Sequence, residues 1–345
     1  MHSHDYATIP IKEVIRETDS AVSLVFDVPA DLADTFRYRP GQFLTLRLLV
    51  DGKYRHRCYS LASAPDIDPF HKVTVKRVDG GLVSGQLCSA ASAGQLVQVQ
   101  PPAGAFGPAD LTQDLFLFAG GSGITPVLSI LKAALAAGAQ RVSLVYANRD
   151  EASVIFRDEL AELSRRHAGR LTVVHWLETV QGLPSSDLLA GLLAGLGERD
   201  AYICGPAPFM DSVVAALRAL GQPSSRIHLE RFISLPDEEA ADLALERADL
   251  SADAPSARLT VALDGETHEI EWGAGRKMLD VMIAAGIDAP YSCKVGGCSA
   301  CMCRVTAGVV TMAKNLVLDE QEIAEGWVLA CQAQAASQDI HCEFL

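Results

Sequence analysis

The sequence contains no run of 18 or more apolar residues and no positively charged segment followed by an apolar one at its N-terminus. We therefore expect a soluble protein that is neither inserted in a membrane nor exported. Positive charge is also scarce, with 29 lysines and arginines against 43 acidic residues. That balance disfavours binding to nucleic acid, whose phosphates attract basic surfaces. Internal repeats are absent too, and a length of 345 residues predicts two or three globular domains.

The excess of acid is concentrated in the C-terminal third. Residues 236–254 carry seven acidic residues against Arg247, and residues 255–345 carry twelve against six basic ones. Two interpretations stay open for this charge: a well-solvated surface, or a contact steered toward a basic partner. The stretch 236–256, bracketed by two prolines, predicts an acidic linker.

The cysteines number nine, and this odd count fits poorly with a set of disulfides. It suits a reducing, cytoplasmic compartment instead. Four of them follow the spacing C-x4-C-x2-C plus one distant residue: Cys293, Cys298, Cys301 and Cys331. This is the plant-type [2Fe–2S] spacing, in which each of two irons takes two thiolates. Zinc is the competing interpretation, although structural zinc usually takes two short pairs of ligands.

Three patterns of hydrophobicity predict three domains. Residues 1–109 contain many short β runs between turns, which is typical of a small antiparallel β-barrel. Residues 110–235 alternate strands with helices, as in a doubly wound parallel α/β sheet. Residues 257–345 predict a β-grasp (α+β) domain that begins with a hairpin at Asp264-Gly265 and contains one strand over Trp327–Ala333. The whole is a multi-domain fold.

Two turns at strand ends have the character of ligand sites. The first is glycine-rich and opens a helix: Gly120, Gly121, Ser122, Gly123, Ile124, Thr125 and Pro126. It is not a G-x-G-x-x-G fingerprint, but it directs free N–H groups at phosphate, with Thr125 near the cap and Pro126 at the first helical position. The second is Cys204-Gly205-Pro206, at the carboxyl edge where such sheets bind ligands. A plain tight turn and a buried thiol are the alternatives.

Arg57-Cys58-Tyr59-Ser60-Leu61, followed by the glycines and serine of Gly80 to Ser84, resembles the ferredoxin–NADP reductase superfamily. The resemblance implies that Arg57 contacts the flavin phosphate, that Tyr59 packs on the isoalloxazine ring, and that Ser60 bonds near N5. We expect Ser84 to present its hydroxyl and backbone N–H to a pyrophosphate. The remaining expected flavin contacts are Cys58, Leu61, Val75, Lys76, Gly81, Leu82 and Val83.

The same resemblance assigns the nucleotide side. It implies that the glycine-rich turn receives the pyridine-nucleotide pyrophosphate and that Cys204, with Gly205 and Pro206, lies beside the nicotinamide. Glu230 would line the hydride-transfer site, and Phe232 would cover the flavin ring. Ser60, Cys204 and Glu230 are thus the expected catalytic residues. Without the family, Phe232 is ordinary core and Glu230 a surface acid.

Coenzyme choice depends on the residues after the second and third strands of the parallel sheet. Relatives that use NADP tend to hold a Ser-Arg pair where this chain has Leu177-Glu178. A carboxylate repels the 2′-phosphate, so we expect NADH, while Arg149, beside Asn148, keeps NADPH open. The Lys76-Arg77 and Gly81–Ser84 stretches are closer to the FAD pattern than to the FMN pattern, so we expect FAD.

The order of flavin, nucleotide and C-terminal ferredoxin domains resembles the reductase components of Rieske-type oxygenases, a steroid hydroxylase among them. The resemblance implies electron flow from NADH through FAD and the [2Fe–2S] cluster to a terminal oxygenase component. Flavin is needed because NADH gives two electrons at once and the cluster takes one. A reductase of a diiron oxygenase or desaturase, such as phenylacetyl-CoA epoxidase, is an alternative. A non-catalytic redox sensor is a second alternative, which the complete hydride-transfer set disfavours.

Overall fold

The computed structural model describes residues 6–232, 257–263, 265–291, 293–318 and 320–344. The predicted acidic linker lies outside these ranges, as does Asp264 of the predicted hairpin. Within them, no helix is both long and apolar enough to cross a bilayer. Contacts divide the chain into two compact units, one holding residues 8–51 and 58–232 and the other including the C-terminal sheet.

Six strands form the first sheet, in the order β4-β3-β6-β1-β2-β5, with antiparallel pairing of β1 with β2, β2 with β5 and β3 with β6. The bounds are β1 Ala7–Thr18, β2 Ala21–Phe26, β3 Phe43–Val50, β4 Lys53–Ser60, β5 His71–Lys76 and β6 Leu96–Val99. Just after β4, Leu61 bridges to Val73 of β5, so the two edge strands meet as the predicted barrel requires. Helix α1, Leu82–Ala90, follows β5.

Five parallel strands form the second sheet, in the order β11-β10-β7-β8-β9. The bounds are β7 Leu115–Gly120, β8 Val142–Asn148, β9 Leu171–Leu177, β10 Asp200–Cys204 and β11 Ile227–Glu230. Helices between them are α2 Ile124–Ala137, α3 Arg157–Arg166, α4 Glu178–Gln181, α5 Ser186–Leu193 and α6 Ala207–Ala219. The order in which strands are added to the sheet reverses between β7 and β10: β8 and β9 lie on one side of β7, and β10 and β11 lie on the other. Doubly wound sheets bind ligands at such a switch point.

Helix α2 is buried on nearly all sides, from Ile124 through Leu135. A helix that is apolar all round has to be covered all round. One side packs on the parallel sheet in a core with Leu117 and Leu144. On another side, the Ser129 hydroxyl donates to the Ser63 carbonyl, in the loop after β4, at 2.6 Å. The helix therefore stands between the barrel and the parallel sheet.

A buried ion network reinforces this junction. Lys132 of α2 is 8% exposed, and its Nζ lies 2.6 Å from Asp68 and 2.7 Å from Glu159 of α3. Lys72 of β5 also binds Glu159, at 2.9 Å. Burial raises the pKa of Glu159, but the two lysines outweigh burial and leave this pKa below its usual value. The Glu159 carboxylate is therefore charged at neutral pH. It binds one lysine from the barrel, Lys72, and one from α2, Lys132.

We expect Lys132→Met to reduce the free energy of unfolding of this unit by about 3 kcal/mol, because two partly buried carboxylates would lose their shared, buried cation. Urea unfolding followed by circular dichroism measures the change. Arg37→Met is the control, since Arg37 pairs with Asp34 where both side chains are over 80% exposed, and such pairs contribute about 1 kcal/mol or less. Equal effects for the two variants would contradict the prediction.

The C-terminal sheet has five strands in the order β13-β12-β18-β14-β16, plus the pair β15 and β17. The bounds are β12 Ala257–Leu263, β13 Glu266–Trp272, β14 Met302–Ala307, β15 Val310–Met312, β16 Trp327–Leu329, β17 Ala333–Ala335 and β18 Asp339–Glu343, with helices α7 Met278–Ala284 and α8 Glu320–Ala324. Strands β12 and β18 pair in parallel while the other pairs of the sheet are antiparallel. Packed with α7, this is the predicted β-grasp arrangement.

The single strand predicted over Trp327–Ala333 is wrong. The chain forms β16, then a turn at residues 330–332, then β17 in another sheet. The turn is closed by Gln332 N, which donates to Leu329 O at 2.8 Å. Leaving the sheet here lets Ala330 N bond to Cys301 O at 3.0 Å. The fourth cysteine of the motif is thereby brought to the other three.

Candidate functional site

The two predicted turns meet at the carboxyl edge of the parallel sheet, where β7 and β10 are neighbours. The backbones touch so closely that a Cβ on Gly123 would overlap the Cys204 carbonyl, and one on Gly205 would lie 2.9 Å from Gly120 N. Real Cβ atoms do not approach so closely. Glycine is therefore required here for the close approach of the two loops.

The glycine-rich turn leads directly into α2. Residues 121–123 form one 3-10 turn, and the α-helix begins at Ile124. Pro126 is thus the third helical residue and not the first. An N–H at this position would have no acceptor within the helix, so proline is tolerated there. Thr125 Oγ1 donates to Ser122 O at 3.1 Å and fixes the turn. The free amides and the helix dipole favour an anion at this end.

Two cationic side chains from different domains lie at this edge. Lys76, at the end of β5, has its Nζ 3.2 Å from the position of a Cβ on Gly121. Burial lowers the pKa of Lys76, and repulsion from Arg149 lowers it further, while Asp150 offsets part of the effect. Partial burial and a neighbouring cation both disfavour the charged form of Lys76. An anion bound here would offset that cost and would itself be attracted by the ammonium.

Asn148 ends β8 beside this edge. It is 8% exposed, and its side-chain amide, which lies beside the Tyr146 hydroxyl, makes no hydrogen bond of good geometry in the described part of the chain. Buried polar atoms are nearly always paired. An orphaned amide at the ligand edge of the sheet therefore points to a polar group that a ligand supplies.

Glu178 lies at the end of the neighbouring strand. Asn148 pairs in register with Leu177 of β9, and Thr179 N donates to Arg149 O at 3.0 Å. The structure therefore brings together the residues that the sequence singled out for coenzyme choice. Glu178 itself is exposed and opens α4.

Tyr146 was missed by sequence reasoning. Its hydroxyl donates to Gly121 O at 3.0 Å and accepts from Ile155 N at 3.3 Å. It thereby holds the glycine-rich turn in place from the neighbouring strand β8. The signal in the sequence was a tyrosine inside an apolar parallel strand, since its buried hydroxyl needs partners.

The expected catalytic pair at β10 and β11 is adjacent, because Cys204 and Glu230 are register partners in the parallel pairing. Cys204 is fully buried, and burial followed by the charge of Glu230 raises the pKa of its thiol well above the usual value. The thiol therefore stays protonated at neutral pH. Phe232, two residues beyond β11, is 46% exposed.

The predicted flavin residues lie on the barrel. Arg57, Cys58 and Tyr59 are partly buried on β4, while Ser60 at the end of this strand is 4% exposed and Leu61 is fully buried. Val75 is buried within β5. The Cys58 thiol lies 3.5 Å from Thr45 Oγ1, within hydrogen-bonding range of a neighbouring strand.

The turn before α1 revises one expectation. The helix begins at Leu82, after Gly81, and the Ser84 hydroxyl accepts from Val78 N at 3.1 Å and lies 3.3 Å from Gly81 O. That hydroxyl is used inside the turn and is not presented to a ligand. The backbone N–H groups of Leu82, Val83 and Ser84 are in the first helical turn, where no intrahelical partner exists. They are the donors that this segment offers to a phosphate.

The four motif cysteines come together as two pairs. Cys293 N lies 3.4 Å from Cys298 Sγ, and Cys331 N lies 3.5 Å from Cys301 Sγ. Hydrogen bonding by Cys301 lowers the pKa of Cys331, while hydrogen bonding to the paired cysteine and burial raise the pKa values of Cys293 and Cys301. Among the described residues, no three His, Cys, Asp or Glu side chains are close enough together to hold a single metal ion.

The loop between the first two cysteines is shaped for sulfur. Val295 N and Gly297 N each donate to Cys293 Sγ at 3.4 Å. Gly296 has φ +75°, and a Cβ there would lie 3.0 Å from Lys314 O. Backbone donors aimed at a ligating sulfur are typical of iron–sulfur loops. The residues present therefore fit a binuclear cluster with two cysteines for each iron.

Comparison with protein families assigns all three regions. Residues 8–107 match the oxidoreductase FAD-binding domain, residues 117–215 the oxidoreductase NAD-binding domain, and residues 261–336 the 2Fe-2S iron-sulfur cluster binding domain. The ferredoxin reductase component of 3-ketosteroid-9-alpha-monooxygenase from Rhodococcus rhodochrous is 48% identical, covering 99% of this chain and 98% of the relative. The chain belongs to the family of monooxygenase ferredoxin reductase components.

The reductase has further relatives of the same length. One component of the 1,2-phenylacetyl-CoA epoxidase from Escherichia coli is 35% identical, with 98% of each chain covered. Among solved structures, phthalate dioxygenase reductase has a TM-score of 0.59 at 24% identity over 98% of each chain. Full-length CYP116B46 from Tepidiphilus thermophilus has a TM-score of 0.71 at 24% identity, over 98% of this chain and 42% of that one. These two likenesses establish the fold.

The comparisons confirm four expectations. The fold is the predicted three-domain one, the cofactors are FAD, NADH and a [2Fe–2S] cluster, and the chain is an NAD(P)H-dependent electron-transfer reductase. The resemblance to the reductase component of a steroid hydroxylase is confirmed as well, by the match to the reductase of a 3-ketosteroid-9-alpha-monooxygenase.

Proposed function

We propose that this reductase passes electrons from NADH to a terminal oxygenase component, with a Rieske-type steroid hydroxylase as the candidate partner. The observation that carries the proposal is the 48% identity to a 3-ketosteroid-9-alpha-monooxygenase reductase across the whole chain. When bound, FAD accepts two electrons from NADH and releases them singly to the cluster. The organic substrate would be oxidised on the partner.

The chain's part in the first step is to hold the nucleotide. We assign the pyrophosphate to the amides of Gly121, Ser122 and Gly123 at the start of α2, with Lys76 and Arg149 balancing its charge. Asn148 would bond a polar group of the same ligand. The neighbouring turn, whose Gly205 and Pro206 pack against Gly120, would form the opposite wall.

The flavin would lie on β4 and the start of α1. We assign its phosphates to Arg57 and to the amides of Leu82, Val83 and Ser84, and its ring system to Tyr59 and Ser60. Glu230 and the protonated Cys204 would shape the space where nicotinamide meets the ring, since a neutral buried sulfur adds bulk without charge. Phe232 would cover the ring in the absence of nicotinamide.

The cluster would be held by the pairs Cys293 with Cys298 and Cys301 with Cys331.

Domain boundaries near residues 109, 235 and 257 stay predictions, and so do these residue roles. We also place the protein in the cytoplasm, because none of the nine cysteines is paired in a disulfide and a reducing compartment keeps thiols unpaired.

A second candidate partner is the oxygenase of a diiron system. The 35% identity to a component of a phenylacetyl-CoA epoxidase over 98% of the chain supports it. Reconstitution separates the two candidates: the reductase should support turnover by a Rieske-type steroid hydroxylase at a higher rate than turnover by a diiron epoxidase. Equal or reversed rates would refute the steroid assignment.

An anaerobic NADH titration followed by visible absorption and EPR tests the electron path. We expect the flavin to bleach and a reduced [2Fe–2S] signal to appear. Bleaching with a cluster that stays oxidised would show that the cluster is not the outlet of the flavin. A chain that binds NADH and reduces no one-electron acceptor would instead support the sensor interpretation.

Glu178→Arg should raise the ratio of kcat/KM for NADPH to that for NADH by about tenfold, or about 1.4 kcal/mol. The reason is that a guanidinium replaces a carboxylate where a 2′-phosphate would lie. Steady-state kinetics with both coenzymes measures it. Glu151→Arg is the control, because Glu151 is an exposed acid in the turn after β8. A change of the same size in both variants would point to general charge and contradict a specific role.

A further inference from the structure

Gln332 directly follows the fourth cysteine and is not explained by the assignments above. It lies in the turn between β16 and β17 and is 4% exposed. A buried glutamine side chain needs hydrogen-bond partners to offset the loss of water. The partners it has here are both parts of the proposed cluster site.

The amide nitrogen of Gln332 connects the two ends of that site. Nε2 donates to Lys294 O at 3.0 Å and lies 3.6 Å from Cys331 Sγ. Lys294 is in the loop between the first two cysteines, where its own φ is +54°. One side chain therefore holds an unusual loop backbone and offers an N–H to a sulfur of the distant fourth cysteine.

The stem of Gln332 is also fitted to the loop. A Cβ on Gly296 would lie 3.0 Å from Gln332 Cγ, so the glycine makes room for this side chain. The backbone is fixed as well, since Gln332 N bonds to Leu329 O and Gln332 O accepts from Ala313 N at 3.0 Å. The stem and the backbone of Gln332 thus hold its amide toward the sulfur of Cys331.

We propose that Gln332 is a positioning residue that raises the reduction potential of the [2Fe–2S] cluster through its N–H donated to Cys331. The inference rests on the proposed ligand set. Reduction adds one electron to the cluster and breaks no bond, so the added negative charge is spread partly onto the cysteine sulfurs. An N–H donor stabilises this more negative state more than the oxidised one. Burial strengthens the effect, because water does not screen the donor.

The consequence for function is the ease with which the cluster takes an electron from reduced flavin. A cluster with a lower potential would be reduced to a smaller extent at a given ratio of NADH to NAD⁺. Lys294, held by the same amide, would keep the backbone donors of the loop aimed at Cys293. Gln332 would then act on both pairs of cysteines.

The test is an EPR-monitored redox titration of the full-length holoprotein carrying Gln332→Met or Gln332→Glu. Methionine keeps the length and loses the donors, and glutamate keeps the shape and adds negative charge. We expect the Met variant to lower the equilibrium constant for cluster reduction about tenfold, which is about 59 mV for one electron, and the Glu variant to lower it further. Gln334→Met is the matched control, since Gln334 Nε2 donates to the Gly275 carbonyl at 3.2 Å. Its potential should equal that of the wild type.

Unchanged potentials in intact Gln332 variants would overturn the inference. A measurement on the wild type covers the case in which the variants lose the cluster: pulsed EPR of protein labelled with ¹⁵N in the glutamine side chains. We expect a hyperfine coupling from one side-chain nitrogen in the wild type. Only the Gln332 variants should lose this coupling. Absence of any coupling in the wild type would refute the hydrogen bond. Failure of the ligand assignment has a different signature, because the Cys331→Ala variant would then retain the full [2Fe–2S] signal.

Discussion

Replacing Cys331 with alanine should reduce electron delivery to a one-electron acceptor by about 100-fold or more, while NADH still bleaches the flavin at a rate within about twofold of wild type. Four thiolates complete the two iron tetrahedra, and removal of one destabilises the whole cluster. The nucleotide and flavin residues lie in other domains and keep their contacts. Stopped-flow absorbance measures the flavin, and cytochrome c reduction measures delivery.

Cys342→Ala is the matched control for this prediction. Cys342 is a buried cysteine of the same domain, 2% exposed on β18, and is not one of the proposed ligands. We expect it to keep a full cluster signal and near-normal acceptor reduction. If Cys331→Ala retained the complete EPR signal, the ligand set would have to be reassigned, with Cys303 the next cysteine to consider.

The second large effect is expected for Gly123→Ala, which should slow flavin reduction by NADH about 100-fold. The added methyl would overlap the carbonyl of Cys204, a backbone group that cannot rotate away. The two loops of the nucleotide site would have to separate, and a displacement of about 1 Å can cost 10²-fold when reacting groups must be aligned. Stopped-flow mixing with NADH gives the rate, and dithionite checks that the flavin itself is still bound and reducible.

Gly191→Ala provides the comparison for this variant. Gly191 lies in α5, where an added Cβ meets nothing within 4 Å. Alanine also favours a helix over glycine by about 1 kcal/mol. Its flavin reduction should match the wild type. A Gly123→Ala protein with normal kinetics would mean that the glycine-rich turn is not the wall of the nucleotide site.

The sequence was sufficient for the architecture because its signals are local or covalently spaced. The cysteine spacing, the glycine-rich turn before α2 and the alternation of strands and helices each predicted an arrangement that is now observed or matched by family. Proline position and the hydroxyl of Ser84 were misjudged for a local reason as well. Helix starts shift by one or two residues with backbone hydrogen bonding, which a residue pattern does not specify.

Contacts between distant residues were not predictable in this way. Lys132 has the appearance of a surface lysine on an amphipathic helix, and only the packing of three elements shows that it bridges Asp68 and Glu159. Gln332 falls within a predicted strand, so the pattern gives its amide no task. The break between β16 and β17 depends on a hydrogen bond from Ala330 N to Cys301 O, two residues that lie 29 positions apart in the sequence. Such pairings are decided by tertiary packing, which a single sequence does not reveal.

Helix α2 has a consequence for how this chain can be recombined with its relatives. The same 14 residues complete the core of the parallel sheet, close against the barrel through Ser129 and Lys132, and begin at the glycine-rich turn. A chimera joined near residue 110 would pair one parent's helix with the other parent's barrel surface. A junction after residue 232 leaves that contact intact. Flavin and nucleotide domains should therefore be inherited and exchanged as one cassette, and the ferredoxin domain as another.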